Sequence, residues 1–518
     1  MIKTLADAVR ISDVPRYWAQ HAPDAIALFD SGAPVTPVTY AALWRTVLQA
    51  REVLQENGVQ AGDRVMLVSE NCAAQVVLLF AISELGAWPV TVNARLSERE
   101  IEVIRVHCEP RLQLFTTGIS PDARAHAQRC RAREIRIGGV DGWGGLAASA
   151  TDKRARPEPA AIAQLVAALI YTSGTTGTPK GVMISHRGLL SFAQISSASR
   201  RMSASDIAHG VLPMSHIFGL ATLLMATLYA GASVYLEPRF TAEGTFKALA
   251  AGGVSILQGV PTMYTRLLSY LDEHRMTAHA PRLRYVYTGG APLDPAQKRA
   301  VEATFGLPLH HGYGMTEYAG SLFITDIDNP RSDCSAGRII ADAELKTVDE
   351  QGRDLPPGTP GEIWVRGIGT MLGYYRAPEL TAQALMPGGW LNTGDIGRVD
   401  PDGALHILGR TKDLIICSGF NVYPIEVEAV INSFPAIRQS AVVGRSTADC
   451  NEEVVAFVER SPGATLDLVE LREYLKARLS PYKRPVAIHE IEVIPTTASG
   501  KLLKNGLRKM AADEAVQS

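Results

Sequence analysis

The sequence predicts an α/β fold: a large N-terminal domain with mostly parallel β-sheets flanked by helices, a small β-rich subdomain, and a small α+β C-terminal domain. Three observations carry this expectation. Short apolar runs alternate with stretches of helical spacing along the first 340 residues, which is the pattern of βαβ units. Beyond about residue 340, short strands are separated by turn signals. A compact tail with helical patterns follows.

Taken in order, residues 65–68 read as a strand, 72–85 have helical spacing, and 87–92 read as the next strand. Residues 117–158, rich in Ala, Arg and Gly, read as a variable surface region. Further buried runs lie at 165–171, 231–235, 255–257 and 285–288, each bounded by Gly, Pro or polar residues. Turns at 349–352, 356–361 and 400–403 separate strands at 361–366 and 404–408, which make up the subdomain of about 340–410. Helices are predicted near 424–432 and 466–479. A boundary placed between 410 and 413 gives domains 1–410 and 411–518. No fixed-period repeat accompanies these elements.

A chain of 518 residues has room for several cores. Its 46% hydrophobic and 20% charged residues are ordinary for a soluble globular protein. A net charge of −2 points to neither nucleic acid nor an anionic membrane as partner. The six cysteines include no CxxC pair, so a reducing compartment is expected. The N-terminus lacks an apolar signal core, and no run of 18 apolar residues occurs. No transmembrane segment and a cytoplasmic location are therefore expected.

The strongest local signal is Tyr171-Thr-Ser-Gly-Thr-Thr-Gly-Thr-Pro-Lys-Gly181, between a buried strand and a helical stretch starting near His186. Gly174, Gly177 and Gly181 let backbone N–H groups approach phosphate oxygens. Thr172, Ser173, Thr175, Thr176 and Thr178 add hydroxyls, and Lys180 adds positive charge. Pro179 before Lys180 separates this loop from the Gly-Lys-Ser/Thr of a Walker A turn.

This loop resembles the signature of the adenylate-forming superfamily, which includes acyl- and aryl-CoA synthetases, peptide-synthetase adenylation domains and beetle luciferases. The resemblance continues through Tyr313-Gly-Met-Thr-Glu317, Thr393-Gly-Asp395, Gly409-Arg-Thr-Lys-Asp413, Ser418-Gly-Phe-Asn-Val-Tyr-Pro424 and Pro495-Thr-Thr-Ala-Ser-Gly-Lys501. It covers about residues 165–505. Several motifs in one order are far more specific than any one alone.

The resemblance implies an acid–thiol ligase using ATP, Mg²⁺ and coenzyme A on a carboxylic acid. Thr316 is expected at the α-phosphate, and Glu317 at Mg²⁺. Gly289, Gly290, Ala291 and Pro292 match the adenine-side loop, with Tyr313, Gly314 and Met315 beside it. Asp395 and Arg410 are expected at the ribose. Lys501 corresponds to a lysine that bridges carboxylate and phosphate, Lys412 to a hinge that makes the C-terminal domain mobile, and Gly419 and Phe420 to a segment approached by pantetheine. His216 in Pro213-Met-Ser-His-Ile-Phe-Gly219 matches the gate of the acyl pocket. Phe218, Gly219, Gln258, Gly259, Met315, Tyr318 and Ala319 are expected to wall that pocket. No clear arginine lies in those segments, with Arg266 and Arg338 left open, so a hydrophobic fatty or aryl acid is favoured. His310-His311 departs from the family pattern. A stand-alone enzyme loading an acyl carrier protein, and a luciferase-like oxidoreductase, share the same first step.

Overall fold

The computed structural model describes residues 3–30, 35–138, 145–150, 152, 155–172, 179–417, 420–447, 452–496 and 502–515. Two large sheets dominate the N-terminal part. A nine-stranded sheet has a parallel centre, including Ile207–Gly210, Ser233–Leu236, Ile256–Gly259, Tyr285–Gly289 and Leu309–Met315, with antiparallel strands at its edges. A seven-stranded sheet places Arg64–Ser69, Trp88–Asn93, Leu112–Phe115 and Val166–Thr172 parallel, again with antiparallel edges. Arg64–Ser69 is buried at every position, which is why its sequence reads as an unbroken run rather than an alternation.

Helix Ala73–Glu84 is apolar on all sides and buried from Ala73 to Ser83. It touches strands of both sheets, as a helix without a polar face must. Helix His186–Ser199 does the same, capped by Ser185, whose hydroxyl accepts from Gly188 N. These two helices cement the sheets together, each buried Leu or Phe contributing roughly 1.5–3 kcal/mol.

Residues 117–158, read from sequence as a variable surface region, carry regular elements. Helix Pro121–Arg129 starts at Ser120, whose hydroxyl accepts from Ala123 N. Strands Arg133–Ile135 and Leu146–Ala148 extend the seven-stranded sheet. The helix buries only Ala123, His126 and Ala127, too few apolar positions to leave a periodic signal.

The β-rich part is a five-stranded antiparallel sheet of Ala343–Val348, Gly361–Gly367, Leu385–Met386, Trp390–Val399 and Leu405–Arg410. A 3₁₀ turn, Thr411–Asp413, follows it. Beyond lie the hairpin Ile415–Cys417/Phe420–Val422, a three-stranded sheet, and helices Pro424–Asn432, Leu468–Lys476 and Lys504–Ala515. Among the described residues no helix is long and apolar enough to cross a membrane.

Two core histidines give the fold a pH dependence. Burial, aided by Arg10 at His186 and by Lys298 at His310, pushes both imidazoles down to about 4. An unfolded histidine titrates near about 6.5. Between those values the unfolded chain binds protons that the folded chain refuses, so stability falls as pH drops through that window. We expect a lower urea midpoint at pH 5 than at pH 7, and a smaller difference in His186→Gln; an unchanged difference contradicts this.

Candidate active site

Strands Val166–Thr172 and Lys180–Ser185 pair antiparallel, with Thr172 opposite Lys180. The second strand was not anticipated from sequence. The intervening turn carries Ser173, Gly174, Thr175, Thr176 and Gly177, which lie outside the described residues. Its feet are fixed, however, and Lys180 Nζ sits 5.0 Å from the centre of the Tyr374 ring.

Tyr374 joins that lysine to Glu317. Its hydroxyl donates to Glu317 Oε1 at 2.9 Å. Burial, and then the Glu317 charge, push the Tyr374 hydroxyl well above its ordinary range, so it stays protonated and donating. Thr316 and Glu317 open a 3₁₀ turn directly after strand Leu309–Met315. Met371 N donates to the Glu317 carbonyl at 2.8 Å and fixes the turn from outside. Lys180 and Glu317 therefore meet through a tyrosine for which no motif gave a signal; Thr172 pairs with Lys180 in register, and Thr316 directly precedes Glu317. Among the described residues no group of three or more His, Cys, Asp or Glu side chains forms a ready metal cage. A single carboxylate near the turn expected to bind phosphate suits Mg²⁺, which takes one or two carboxylates and completes its shell with water and phosphate oxygens. We expect Tyr374→Phe to raise the Mg²⁺ concentration needed for half-maximal rate about tenfold, as loss of a hydrogen bond behind a metal ligand does. An unchanged Mg²⁺ titration contradicts that role.

Asp395 and Arg410, the residues expected at the ribose, face each other across the sheet in direct register. Arg410 Nε lies 3.1 Å from Asp395 Oδ1, and the Tyr313 hydroxyl donates to Asp395 Oδ2 at 2.5 Å. Asp395 is only 5% exposed. Its charge is the main cause holding the Arg410 guanidinium above its ordinary range. Thr393 Oγ accepts from Asp395 N at 3.1 Å. Gly394 has φ +67° with open space at its Cβ position, so backbone conformation, not crowding, favours glycine there. An ionised carboxylate offers about four acceptor sites. With two in use, Asp395 retains capacity for a pair of ribose hydroxyls. Gly289 ends its strand and Gly290, Ala291 and Pro292 leave it, Gly290 with φ +80°.

The expected pocket wall assembles in part. Phe218 meets Tyr287 edge-on, ring centres 5.9 Å apart. A Cβ built on Gly312 would fall 2.0 Å from the Tyr287 hydroxyl, and one on Gly314 would fall 2.3 Å from the Gly320 carbonyl oxygen. His216 Nδ1 accepts from Phe218 N at 3.2 Å, which orients the ring. Gly219 is glycine for a different reason: its Cβ would lie 2.2 Å from the Pro213 carbonyl oxygen. The Tyr318 ring packs where a Cβ of Gly367 or Gly369 would stand. Arg266 is exposed on helix Pro261–His274, and Arg338 reaches toward Asp402. The arginine that matters is Arg200, fully buried, its guanidinium carbon 4.8 Å from the centre of the Tyr287 ring. His310 stacks on Tyr285 at 4.6 Å, and His311 Nδ1 bonds to the carbonyls of Cys334 and Ser335. Both serve as packed supports.

Lys412 is central to the 3₁₀ turn Thr411–Asp413. Asp413 pairs with Arg508 of the last helix. Phe420, 55% exposed, stacks on Tyr482 at 4.6 Å. Gly419 and Lys501 lie outside the described residues; Thr496 and Leu502 pair across a bridge on either side of the latter's segment.

The family model described as "AMP-binding enzyme" matches residues 15–375, and that of the "AMP-binding enzyme C-terminal domain" matches residues 426–501. The chain belongs to the AMP-binding enzyme family. Among its relatives is 4-coumarate–CoA ligase 2 of Oryza sativa subsp. japonica, 34% identical, covering 95% of this chain and 91% of that one. Feruloyl-CoA synthase of Amycolatopsis sp. is 32% identical over 95% of this chain and 97% of its own. The crystal structure of ATP-bound MatB from Rhodopseudomonas palustris superposes with a TM-score of 0.85 at 30% identity, covering 98% and 99% of the two chains. This AMP-binding enzyme thus has the α/β architecture with a small C-terminal domain that its sequence predicts.

Proposed function

We propose that this AMP-binding enzyme is an AMP-forming acid–CoA ligase whose acid is a hydrophobic aryl monocarboxylate. Membership of the family and the CoA-ligase activity named for relatives matching nearly the whole chain support the reaction class. The observation that carries the aryl reading is the aromatic pocket wall, in which Phe218 stands edge-on to Tyr287 and the Tyr287 hydroxyl closes over Gly312. Such a wall suits a flat ring better than a long flexible chain.

In the first half-reaction a carboxylate oxygen attacks the α-phosphorus of ATP and diphosphate leaves. Catalysis is mostly positioning and charge stabilisation. Asp395 and Arg410 hold the ribose. Thr316 donates to the α-phosphate, Lys180 and the 173–178 turn hold the outer phosphates, and Lys501 bridges the carboxylate and the α-phosphate. Mg²⁺ held by Glu317 would neutralise phosphate charge. His216 stands at the pocket mouth and keeps water from the acid. In the second half-reaction, residues 411–518 rotate against 1–410 about Lys412, withdrawing Lys501 and bringing Gly419 and Phe420 to the site. The thiol of CoA then adds to the acyl carbonyl and AMP leaves.

A panel of aryl and alkyl carboxylic acids, each assayed with ATP in the presence and absence of CoA, tests this reading. AMP formation that requires both an aryl acid and CoA supports it. Diphosphate exchange without any CoA thioester points to carrier loading, oxygen-dependent product to an oxidoreductase, and preference for long alkyl acids overturns the aryl assignment.

A further inference from the structure

Beside Tyr287 a buried amide stands without a hydrogen-bond partner among the described residues. Gln258 is 0% exposed, and neither its Oε1 nor its Nε2 has a hydrogen-bond partner among the described residues. It lies on strand Ile256–Gly259, directly beside Tyr287 in the parallel register. Its chain neighbours face away: Leu257 joins the outer core with Tyr264 and Val286, and a Cβ on Gly259 would meet Met263 and Tyr264. Side chains alternate along a strand, so Gln258 shares the inner face with Tyr287. That face also holds Gly289 and Gly312, beside Phe218. Buried amides normally find partners, because leaving both ends unpaired is costly.

We propose that Gln258 receives a hydroxyl carried at the far end of the aryl acid, an inference that rests on the ligase reading above. Tyr287 lies two residues before Gly289, so the amide stands about 7 Å along the strand direction from the Gly289 end. A phenol both donates and accepts, and a glutamine amide offers the complementary pair. Arg200 stacks against the Tyr287 ring and its Nη1 donates to the Ser196 carbonyl at 3.0 Å, while its Nε and Nη2 have no partner among the described residues. An acid without the hydroxyl leaves the amide unpaired, and sites built to bond a hydroxyl reject such analogues strongly.

The test compares kcat/KM for 4-coumarate and for cinnamate, which lacks only the ring hydroxyl, in the full-length enzyme and in Gln258→Leu. The wild type is expected to prefer 4-coumarate by at least ~10²-fold. Gln258→Leu is expected to reduce that preference to within about threefold, partly by improving cinnamate, a gain that misfolding cannot produce. Equal use of both acids by the wild type, or an unchanged preference in the variant, overturns the role of Gln258 and leaves the ligase reading standing. Absence of CoA-dependent AMP formation with every acid of the panel overturns the ligase reading and this inference with it.

Discussion

Lys501→Ala is expected to slow adenylate formation by at least ~10²-fold, the cost of removing one preorganised donor from a crowded charge. The reason lies in which cations remain. Arg410 is tied to Asp395, and Lys180 lies over the Tyr374 ring at the foot of its turn. Neither is free to bridge the incoming carboxylate and the α-phosphate. Negative charge grows there as the acid oxygen approaches, so the missing ammonium is felt in the transition state more than in binding. Thioester formation from supplied acyl-AMP should fall far less, because the proposed rotation withdraws Lys501 before that stage. Diphosphate exchange and single-turnover thioester formation, measured on one preparation, separate the two steps. A near-normal exchange rate refutes the assignment.

Lys412→Pro is expected to keep adenylation and to lose thioester formation. The 3₁₀ turn Thr411–Asp413 has φ values near those a proline ring imposes. Proline at 412 therefore suits the present arrangement, with modest strain at Thr411 before it. The proposed rotation of the C-terminal domain requires the hinge backbone to leave this region, which proline forbids. On both sides of the hinge the chain is anchored: Thr411 Oγ donates to Glu362 at 2.9 Å, and Asp413 pairs with Arg508. The torsion change then concentrates at Lys412. Lys412→Ala serves as control and should retain both half-reactions. Equal loss of both in Lys412→Pro contradicts the hinge.

The parallel strands were the most legible part of the chain. Residues 65–68, 165–171 and 285–288 read as strands because burial on both faces leaves an unbroken apolar run, and each is a strand. Lys180–Ser185 was missed because its apolar residues follow a Gly-rich turn that drew the reading to phosphate instead. Asp395 and Arg410 stood out as motif residues, but their pairing follows from strand register, across a bulge between Ile396 and Gly397. Tyr374 left no trace, since its partner Glu317 is 57 residues away and no local spacing encodes such a contact. Arg200 was illegible for a related reason. An arginine at a helix end is normally solvated, and only the tertiary stack on Tyr287 buries this one. Tyr318 belongs to the expected pocket wall, and the 3₁₀ turn directs its ring toward Gly367.

The central chemistry, attack of a carboxylate oxygen on the α-phosphorus of ATP, is tested most directly by isotope transfer. An aryl acid labelled with ¹⁸O in its carboxylate is turned over with ATP and CoA, and the released AMP is analysed by mass spectrometry. The expected result is one ¹⁸O atom in the phosphate of AMP. Unlabelled AMP, or label recovered in inorganic phosphate alongside ADP, would contradict an acyl-adenylate.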